Sequence, residues 1–518
     1  MLLFGRYRLD LANFIHVDES TSQRTVNGKP KEPIFLHVKT TERISKNHLN
    51  VNTSLRAVIK PRSKDIVTAS RYWQVFDASV RHGSTQADTT DRPVFIANAL
   101  YDDRLASQDS PCVRLFSITQ HYNRMYLVQL CYFWRENEPE PVEISKATVQ
   151  TINSVKQIVV NGTIYKQYLI TCPLSRPDIN ISSVSIGMDV TRRDWSAPLT
   201  NAIPVFYPKR QRDDSKWEHE FGMCVMISYG SVPDAEAHWL IEWFELHRLL
   251  GVTEIHIYNG TLQLEPQIAR IFAHYQTQGM LKVTQQPPPV DYPPAEYKMA
   301  AKMATRSALN DCMYKNMYRF HFMIIVDMDE VIIPAKHDNY TQLMQALNNN
   351  NYNNTSLRFH SKPFYLEYEP LSTNTSSMLR TERYRYHAPV SAWRRAKSII
   401  NPRQCLYTYS HYFLKPLDSA GSERAAVGAV GARSKHEVYK MAGAVGARSE
   451  RAVHEAAGAV HHYRATCFSS NNPSHFSHEA CNETAKQRVL DDTAARFKVK
   501  LLPAVIGVHR ALDIDTQL

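Results

Sequence analysis

Three carboxylates stand close together directly after an apolar stretch of the chain. Residues 321–334 read HFMIIVDMDEVIIP and contain Asp327, Asp329 and Glu330. Crowded acidic groups repel one another, so a counter-charge is expected beside them. A divalent cation supplies one, because Mg²⁺ and Mn²⁺ prefer oxygen ligands and keep water and phosphate oxygens. The pattern predicts a cation site at Asp327 and Asp329, and the alternative is a solvated acidic turn.

Strands and helices alternate around this motif from Lys216 onwards. Four predicted strands, separated by three predicted helices, are MCVMISYG, TEIHIYNG, LKVTQQ and FMIIV. This order is typical of a parallel sheet, in which ligands bind beyond the carboxyl ends of the strands. The motif follows the fourth strand. Strand alternation predicts Asp327 and Asp329 on one side and Met328 on the other.

Length, composition and net charge indicate a globular protein that binds anionic ligands. A chain of 518 residues with 43% apolar and 10% aromatic residues predicts a globular protein of several domains. The net charge of +11 favours anionic ligands such as phosphates. Nucleic-acid binding is not predicted, because the sequence has no basic low-complexity arm and no nucleic-acid motif. No apolar run reaches the roughly 18 residues of a membrane-spanning helix.

Two features predict exposure to the lumen of the secretory pathway. The chain contains eight cysteines, an even number compatible with disulfides. It also contains nine Asn-x-Ser/Thr sequons, at Asn52, Asn161, Asn180, Asn259, Asn339, Asn353, Asn354, Asn374 and Asn482. Luminal exposure implies that a membrane anchor is missing from this N-terminus; the alternative is that Asn-rich text such as LNNNNYNNTS generates sequons by chance. A disulfide is predicted between Cys467 and Cys481, and zinc held with His475 and His478 is the alternative.

Several motifs in order resemble glycosyltransferase family 92. Between residues 216 and about 470 the chain contains CVMISYG, HWLIEWFELHRLLGVTEIHIYN, DCMY, FMIIVDMDEVIIP, KSIINPRQCLYTYSHYF and VHHYR. The resemblance implies an α/β protein with a GT-A fold, found as a type II enzyme of the Golgi membrane. It also implies UDP-galactose as donor, Mn²⁺ as cofactor, and transfer of galactose in β-1,4 linkage with inversion. The implied partner is a glycan acceptor such as core fucose on N-glycans.

Four regions are predicted along the chain. They are a β-rich stem or accessory region at 1–215, the first part of the GT-A domain at 216–417, a low-complexity insertion at 418–459, and the end of that domain with a C-terminal helix at 460–518. The insertion contains GAVGARS twice and few large apolar residues. Such a composition buries too little surface to offset the entropy of ordering, so disorder is predicted there.

The resemblance assigns roles within and near the motif. Asp327 and Asp329 match the family's DxD pair, with Asp329 as direct metal ligand and Asp327 nearer the ribose. Glu330 is expected to support them without ligating. A late histidine completes the metal shell in many GT-A enzymes. His462 is favoured for this position, and His411 is the alternative.

Other residues are expected to bind the donor or to act on the acceptor. Arg464 or Lys397 would contact the diphosphate, and Tyr258 and Asn259, expected to end the second strand, would meet the nucleotide. An inverting transfer also requires a general base, normally a carboxylate. The sequence does not choose among the candidates Glu367, Glu369 and Glu382.

Two other functions remain open from the sequence. The text IIVDMDEV also matches the signature of haloacid-dehalogenase-like phosphatases, whose first aspartate is a nucleophile. That class requires a later lysine and an acidic pair ending another strand, whereas Asp491 and Asp492 are predicted to lie in a helix. A catalytically inactive, glycan-binding relative is the second alternative, because the insertion interrupts the region of resemblance.

Overall fold

The structure of the protein is a computed structural model, which describes most residues from 93 to 514. The described residues are 74–77, 93–104, 110–120, 130–152, 158–177, 179–187, 202–210, 217–348, 356–368, 370, 378–388, 395–411, 414–416, 450–452, 457–464, 482 and 485–514. All of them belong to one compact unit. No described helix combines the length and the apolar character that crossing a membrane requires.

The first sheet is formed by strands that precede residue 210. Its strands are β1 (Gln74–Asp77), β2 (Pro93–Asp102), β3 (Cys112–Gln120), β4 (Leu130–Trp134), β5 (Glu143–Lys146), β6 (Thr148–Thr151), β7 (Ile158–Val160), β8 (Thr163–Pro173), β9 (Ser183–Gly187) and β10 (Ile203–Phe206). The main order is β5-β4-β9-β10-β2-β3-β8-β6, with β1 on β2 and β7 on β8. A disulfide joins Cys131 in β4 to Cys172 in β8. These strands are separated by four others, so the sheet folds over and encloses a core that includes Val113, Phe133 and Ile170.

The second sheet contains the predicted alternation of strands and helices. Its strands are β11 (His219–Val232), β12 (Val252–Leu264), β13 (Leu281–Gln285), β14 (Phe320–Val326), β16 (Ser356–Phe359), β19 (Lys397–Ile400) and β22 (Glu450–Ala452). Its crossover helices are α1 (Ala237–Leu249), α2 (Pro266–Thr277) and α3 (Tyr297–Asn316). The order is β13-β12-β11-β14-β19-β16-β22, and the first four strands are parallel. The mixed α/β prediction is confirmed. The strand order reverses direction between β11 and β14, where α/β sheets bind ligands.

The third sheet begins directly after the acidic motif. Its strands are β15 (Glu330–Pro334), β17 (Ser361–Tyr365), β18 (Tyr386–His387), β23 (Gly458–Arg464) and β24 (Val489–Leu490), in the order β15-β23-β17-β18-β24. The remaining elements are the pair β20 (Cys405–Thr408) and β21 (Leu414–Pro416), and helices α4 (Tyr340–Asn348), α5 (Arg380–Arg383) and α6 (Lys498–Leu512). The motif therefore lies at the junction of the second and third sheets.

The first sheet and helix α3 share a buried core. Phe116 and Leu169 from the sheet pack in one cluster with Ala304 and Ala308 of the helix. Ala304 and Ala308 lie four residues apart on one helical face, and the absence of bulk lets the sheet approach closely. A disulfide from Cys312 of α3 to Cys224 of β11 continues this packing into the second sheet.

A buried ion cluster also joins the β-rich region to the α/β region. This boundary cluster consists of Asp102, Arg104 and Arg114. Asp102 accepts from the Nε atoms of both arginines, at 2.8 Å from Arg104 and 3.1 Å from Arg114. Arg104 also donates to the carbonyl oxygens of Pro402 and Cys405, at 2.7 and 2.5 Å. The two regions are therefore connected through satisfied polar contacts as well as through apolar packing.

Two boundaries predicted from the sequence are wrong. Strand β12 does not end at Asn259, because its ladder with β11 continues to Leu264 after a register shift. The insertion does not extend to residue 459, since β22 pairs with β16 in the second sheet and β23 begins at Gly458. A Cβ atom at Gly458 would lie 3.0 Å from the carbonyl oxygen of Ile333, which explains a glycine there. Residues 417–449, like Cys467 and Cys481, lie outside the described part of the chain.

Candidate active site

The acidic motif forms the turn that links β14 to β15. The backbone N–H of Glu330 donates to the carbonyl oxygen of Asp327 at 3.1 Å. Two indoles of α1 hold the same turn, because Trp239 donates to the carbonyl of Met328 at 3.1 Å and Trp243 to that of Glu330 at 2.9 Å. The carboxylates therefore project from a turn, and the predicted strand-end alternation does not apply. The turn geometry is held by helix α1.

Lys397 supplies the counter-charge that the acidic motif requires. Its Nζ atom lies 3.0 Å from Oδ2 of Asp327 and 2.9 Å from Oε2 of Glu330, and its side chain is fully buried. Strand β19, antiparallel to β14, brings it there. In the structure this ammonium bridges two carboxylates of the motif, and its expected contact with a diphosphate stays a prediction.

His462 reaches the motif through strand pairing. In the antiparallel ladder of β15 and β23, Glu330 stands opposite His462. The Nε2 atom of His462 lies 2.9 Å from Oδ2 of Asp329, and its Nδ1 atom lies 3.3 Å from Oε1 of Glu330. The backbone N–H of Tyr463 donates to the carbonyl of Asp329 at 2.9 Å. We call the assembled group the motif cluster; it consists of Asp327, Asp329, Glu330, Lys397 and His462.

The motif cluster is buried, and its charges perturb one another. Burial raises the pKa of Glu330 to about 7 against the attraction of Lys397, and the charges of Asp327 and Asp329 act in the same direction as burial. Burial lowers the pKa of the His462 imidazole to about 3, although Asp329 opposes this shift. A neutral imidazole has a lone pair to offer to a metal ion. The cluster therefore presents three carboxyl groups around one ammonium, together with an imidazole able to ligate.

The donor atoms of this cluster fit a divalent cation. Asp329, Glu330 and His462 each offer a ligand atom, and these atoms lie within 4.8 Å of one another. Carboxylate oxygens suit Mn²⁺, and imidazole nitrogen is a common ligand of first-row transition metals. Neighbouring ligands of an octahedral ion with bonds of about 2.1 Å stand about 3 Å apart, close to the spacing between Asp329 and His462. Oε1 of Glu330 lies 3.3 Å from Nδ1 of the same ring without a hydrogen bond between them.

His411 and Arg464, the other candidates for binding the metal and the diphosphate, lie near the motif cluster. Burial lowers the pKa of His411 well below its usual value, with Lys397 acting in the same direction and Asp327 opposing. Arg464 is buried on β23, and the charge of Asp329 opposes the lowering of its pKa by burial. Both residues therefore lie in the electrostatic field of the motif. Their contacts with a metal or a diphosphate stay predictions.

Tyr258 and Asn259 are engaged within the protein. The Tyr258 hydroxyl donates to Oδ2 of Asp311 on α3 at 2.6 Å and packs in the core shared with the first sheet. The Asn259 side chain accepts from the backbone N–H of Leu262 at 2.9 Å, within β12. Nucleotide contacts by these two residues stay a prediction, and the structure gives each a local role.

The acidic pair that a phosphatase would use does not face the motif. Asp491 and Asp492 follow β24 and do not lie in a helix, contrary to the prediction. Oδ2 of Asp491 lies 2.7 Å from Nζ of Lys362 and 3.8 Å from Nε2 of His461. His461 points to the opposite face of β23 from His462 because side chains alternate along a strand. This pair therefore belongs to a different cluster.

The role of the two tryptophans in α1 was not predicted from the sequence. Indole N–H groups usually find an acceptor when buried, and Trp239 and Trp243 lie four residues apart on one helical face. The spacing of these two tryptophans, in the helix after the first strand of the second sheet, was the available signal. It could not identify their acceptors, because the carbonyls lie 87 and 89 residues away in the chain.

Comparisons with known proteins point to one family. The model of glycosyltransferase family 92 matches residues 219–500, more than half of the chain. The Beta-1,4-galactosyltransferase galt-1 of Caenorhabditis elegans is 21% identical over 175 residues, which cover 33% of this chain and 38% of that protein. The chain thus matches well under half the length of this relative. The crystal structure of S. aureus TarS 1-349 aligns with a TM-score of 0.21 and 13% identity, over 48% of this chain and 60% of that one. This structural similarity is too low to carry an argument.

Proposed function

Because the chain belongs to glycosyltransferase family 92, we propose that it is a metal-dependent, inverting glycosyltransferase. It moves a hexose from a UDP-sugar to a glycan acceptor such as fucose on N-glycans. The name of the matched nematode relative, a β-1,4-galactosyltransferase, supports galactose in β-1,4 linkage. The observation that carries the proposal is the motif cluster, whose carboxylates and imidazole meet at the carboxyl end of β14.

The topology of the second sheet supports a GT-A arrangement for the donor site. The parallel strands run in the order β13-β12-β11-β14, so the motif follows the strand beside the switch point. Nucleotides bind in the crevice at this point in doubly wound sheets. We propose that the UDP moiety lies over the carboxyl ends of β11 and β12, and that its diphosphate faces the motif turn.

The residues of the motif cluster have separable roles in this proposal. Asp329 and His462 would hold Mn²⁺, with the Glu330 carboxylate beside the other nitrogen of the His462 ring. Lys397 keeps Asp327 ionised and in place, so that its second oxygen faces the ribose. When bound, the cation neutralises the charge that develops on the departing diphosphate. Trp239 and Trp243 fix the turn before the donor arrives, which reduces reorganisation during the reaction.

We also propose that the catalytic residues work in the Golgi lumen. Two disulfides, Cys131–Cys172 and Cys224–Cys312, support an oxidising compartment. Both lie in the buried core, where they connect strands or helices that are distant in the chain. Disulfides of this kind are rare in reducing compartments.

The experiment combines a donor screen with analysis of the products. The full chain is incubated with Mn²⁺, a panel of UDP-sugars and fucosylated N-glycans, and both UDP release and glycan mass are measured. We expect UDP release with UDP-galactose and a product one hexose heavier, in both cases abolished by a chelator. Release of phosphate from monoesters would instead indicate a phosphatase. Glycan binding without UDP release from any donor would indicate an inactive relative.

A further inference from the structure

We propose that Asn161 and Asn180, both in the β-rich region, each carry an N-linked glycan. This inference rests on the proposed location in the Golgi lumen, which a chain reaches through the compartment where N-glycans are added. In that step the side-chain amide nitrogen bonds to C1 of the first sugar of a lipid-diphosphate-linked oligosaccharide. The bond from C1 to the diphosphate oxygen breaks with its electron pair on the lipid diphosphate, and the nitrogen gives up a proton. The product is a bulky, hydrophilic group at an Asn-x-Ser/Thr sequon on the protein surface.

The sequons differ in the room that the fold leaves around the asparagine. The folded protein accommodates a glycan only where this side chain is open to solvent. Among the sequons whose three residues lie within the described ranges, Asn161 and Asn180 are exposed, whereas Asn259 and Asn339 are half-buried. Exposure therefore selects the two sequons of the β-rich region. The other sequons lie wholly or partly outside the described residues, as does the candidate base Glu369; they are those of Asn52, Asn353, Asn354, Asn374 and Asn482.

Asn161 lies in a tight hairpin turn with open space around it. Val160 at the end of β7 pairs with Thr163 at the start of β8, so Asn161 and Gly162 form the turn between them. Their φ angles of 48° and 70° are the left-handed values that Asn-Gly hairpin turns adopt. The backbone N–H of Asn161 donates to Oε2 of Glu296 at 2.5 Å. A Cβ atom at Gly162 would meet no described atom within 4 Å. The backbone of the turn is thus held, and there is space beside it for a sugar.

Asn180 is exposed beside a sequon backbone that is also held in place. The next residue, Ile181, is buried, and its carbonyl accepts from the hydroxyl of Tyr207 at 2.8 Å. The backbone N–H of Ser182 donates to the carbonyl of Trp134 at 2.8 Å. These contacts fasten the second and third residues of the sequon to the β-rich region. The exposed Asn180 side chain is therefore free to carry a bulky group without displacing the core.

Both sites lie beside apolar side chains that reach the surface. Val159 on β7, two residues before Asn161, is 39% exposed, and so is Tyr207 beside the sequon of Asn180. Strand β7 lies at an edge of the first sheet, where it pairs with β8. Exposed edge strands can pair with another chain unless a polar or bulky group hinders the approach. A glycan at the end of β7 would supply such a group.

Asn259 provides a matched control, because its sequon has the same three residues, Asn-Gly-Thr, as that of Asn161. Its strand, β12, is paired on both sides, with Ser228 of β11 and Gln285 of β13 opposite Asn259. Its side chain accepts from the backbone N–H of Leu262 at 2.9 Å. A glycan there would start from the interior of the second sheet, at the end where we propose that UDP lies. Identical sequons thus differ only in their place in the fold.

The test maps the glycans on the full chain, directed into the lumen of animal cells by a secretion signal placed before Met1. Peptide N-glycosidase in heavy-oxygen water removes each glycan and leaves a labelled aspartate, which peptide mass spectrometry locates. We expect the label at positions 161 and 180 in most copies, and no label at position 259. On gels, Asn161→Gln and Asn180→Gln should each lose one step of glycan mass, whereas Asn259→Gln should lose none. Thr163→Ala should lose the same step as Asn161→Gln, and Thr163→Ser should keep it.

Several results would overturn the assignment. Because the signal imposes the location, unlabelled positions 161 and 180 in the secreted chain would exclude both glycans, and one unlabelled position would exclude that glycan. A label at position 259 with none at 161 would show that exposure in the fold does not select the sites. If Asn161→Gln is not secreted, the peptide map of the wild type still decides. A glycosylated chain that transfers no sugar would overturn the proposed function alone, whereas an active chain without these two glycans would overturn this inference alone.

Discussion

The boundary cluster and the motif cluster are both buried groups of charged side chains, yet they balance charge differently. In the boundary cluster Asp102 meets two guanidinium groups, and Arg104 in turn donates to two backbone carbonyls. Although burial alone would raise it, the pKa of Asp102 is lowered because Arg104 and Arg114 outweigh burial. In the motif cluster burial and neighbouring acids raise the pKa of Glu330 to about 7 despite Lys397.

This difference separates a contact that serves folding from one that serves binding. The boundary cluster is complete without a ligand, since each charge has a partner of opposite sign. The motif cluster gathers three acids beside the ammonium of Lys397 and a neutral imidazole, with Arg464 also in their field, and the pKa of Glu330 stays raised. Perturbed titration in a cluster at the end of a strand is a recognised mark of functional sites. Substitutions in the two clusters should therefore act on different properties.

The largest expected effect is the loss of transfer in Asp329→Asn. The change keeps the size of the side chain but removes a charge that would face the cation, so transfer should fall by about 1,000-fold or more. Circular dichroism and thermal melting should match the wild type. Activity is measured as Mn²⁺-dependent release of UDP. Retained Mn²⁺-dependent transfer would contradict the assignment of the metal site.

Asp102→Asn should reverse this pattern by lowering stability and leaving chemistry intact. Removal of one partner of a buried ion pair costs about 3–5 kcal/mol, because the arginines keep their buried charge. Denaturant unfolding should report this loss, while the folded fraction should bind UDP and Mn²⁺ like the wild type. Weaker nucleotide binding without a change in stability would show that the two clusters are not separate in function.

The same substitution should remove part of the acid sensitivity of the fold. The pKa of Asp102 is lower in the folded than in the unfolded protein, so its ionised form stabilises the fold above the unfolded carboxyl pKa of about 4. That contribution is lost as the pH falls from there towards the lower, folded pKa. Stability measured at several pH values should therefore decline less below pH of about 4 in Asp102→Asn than in the wild type. Equal slopes would contradict the ion-pair explanation.

A pair of histidine variants tests which imidazole completes the motif cluster. We expect His462→Ala to weaken Mn²⁺ binding by about tenfold or more, because it removes the nitrogen beside Asp329. His411→Ala is the control, and its Mn²⁺ affinity should stay within about twofold. Titration of Mn²⁺ in the presence of UDP provides both values. The opposite ranking would transfer the ligand role to His411.

The smallest effect is expected for removal of the repeated GAVGARS text. Deletion of residues 419–449 should leave folding and transfer close to wild type, since the free energy of closing a chain segment depends only weakly on its length. Deletion of 419–457 should destabilise the protein, because it removes β22 and the carbonyl of Ala457 that accepts from Ala335 at 2.9 Å. Thermal melting distinguishes the two. Equal stability of both deletions would show that β22 contributes little.

Part of the fold and of the candidate site was accessible from the sequence. The alternation of strands and helices after Lys216 predicted a parallel sheet, and the structure confirms a mixed α/β architecture. The resemblance to glycosyltransferase family 92 is confirmed by the match over residues 219–500. The roles of Asp327, Asp329 and His462 stay predictions. The predicted end of β12 at Asn259 was wrong, because β11 supplies ladder partners as far as Leu264.

By itself the sequence determined that the buried strand β14 ends at Val326 and that carboxylates follow it, because hydrophobic periodicity and turn residues act over a few neighbouring positions. Only the tertiary structure decided which charges meet. Lys397 arrives from β19, and His462, 133 residues after Asp329, arrives through its ladder with β15. Such pairings depend on closing long loops and on the packing of whole sheets, so no local pattern specifies them. The acidic residues can be read from the sequence, whereas the position of Lys397 beside them depends on the tertiary structure.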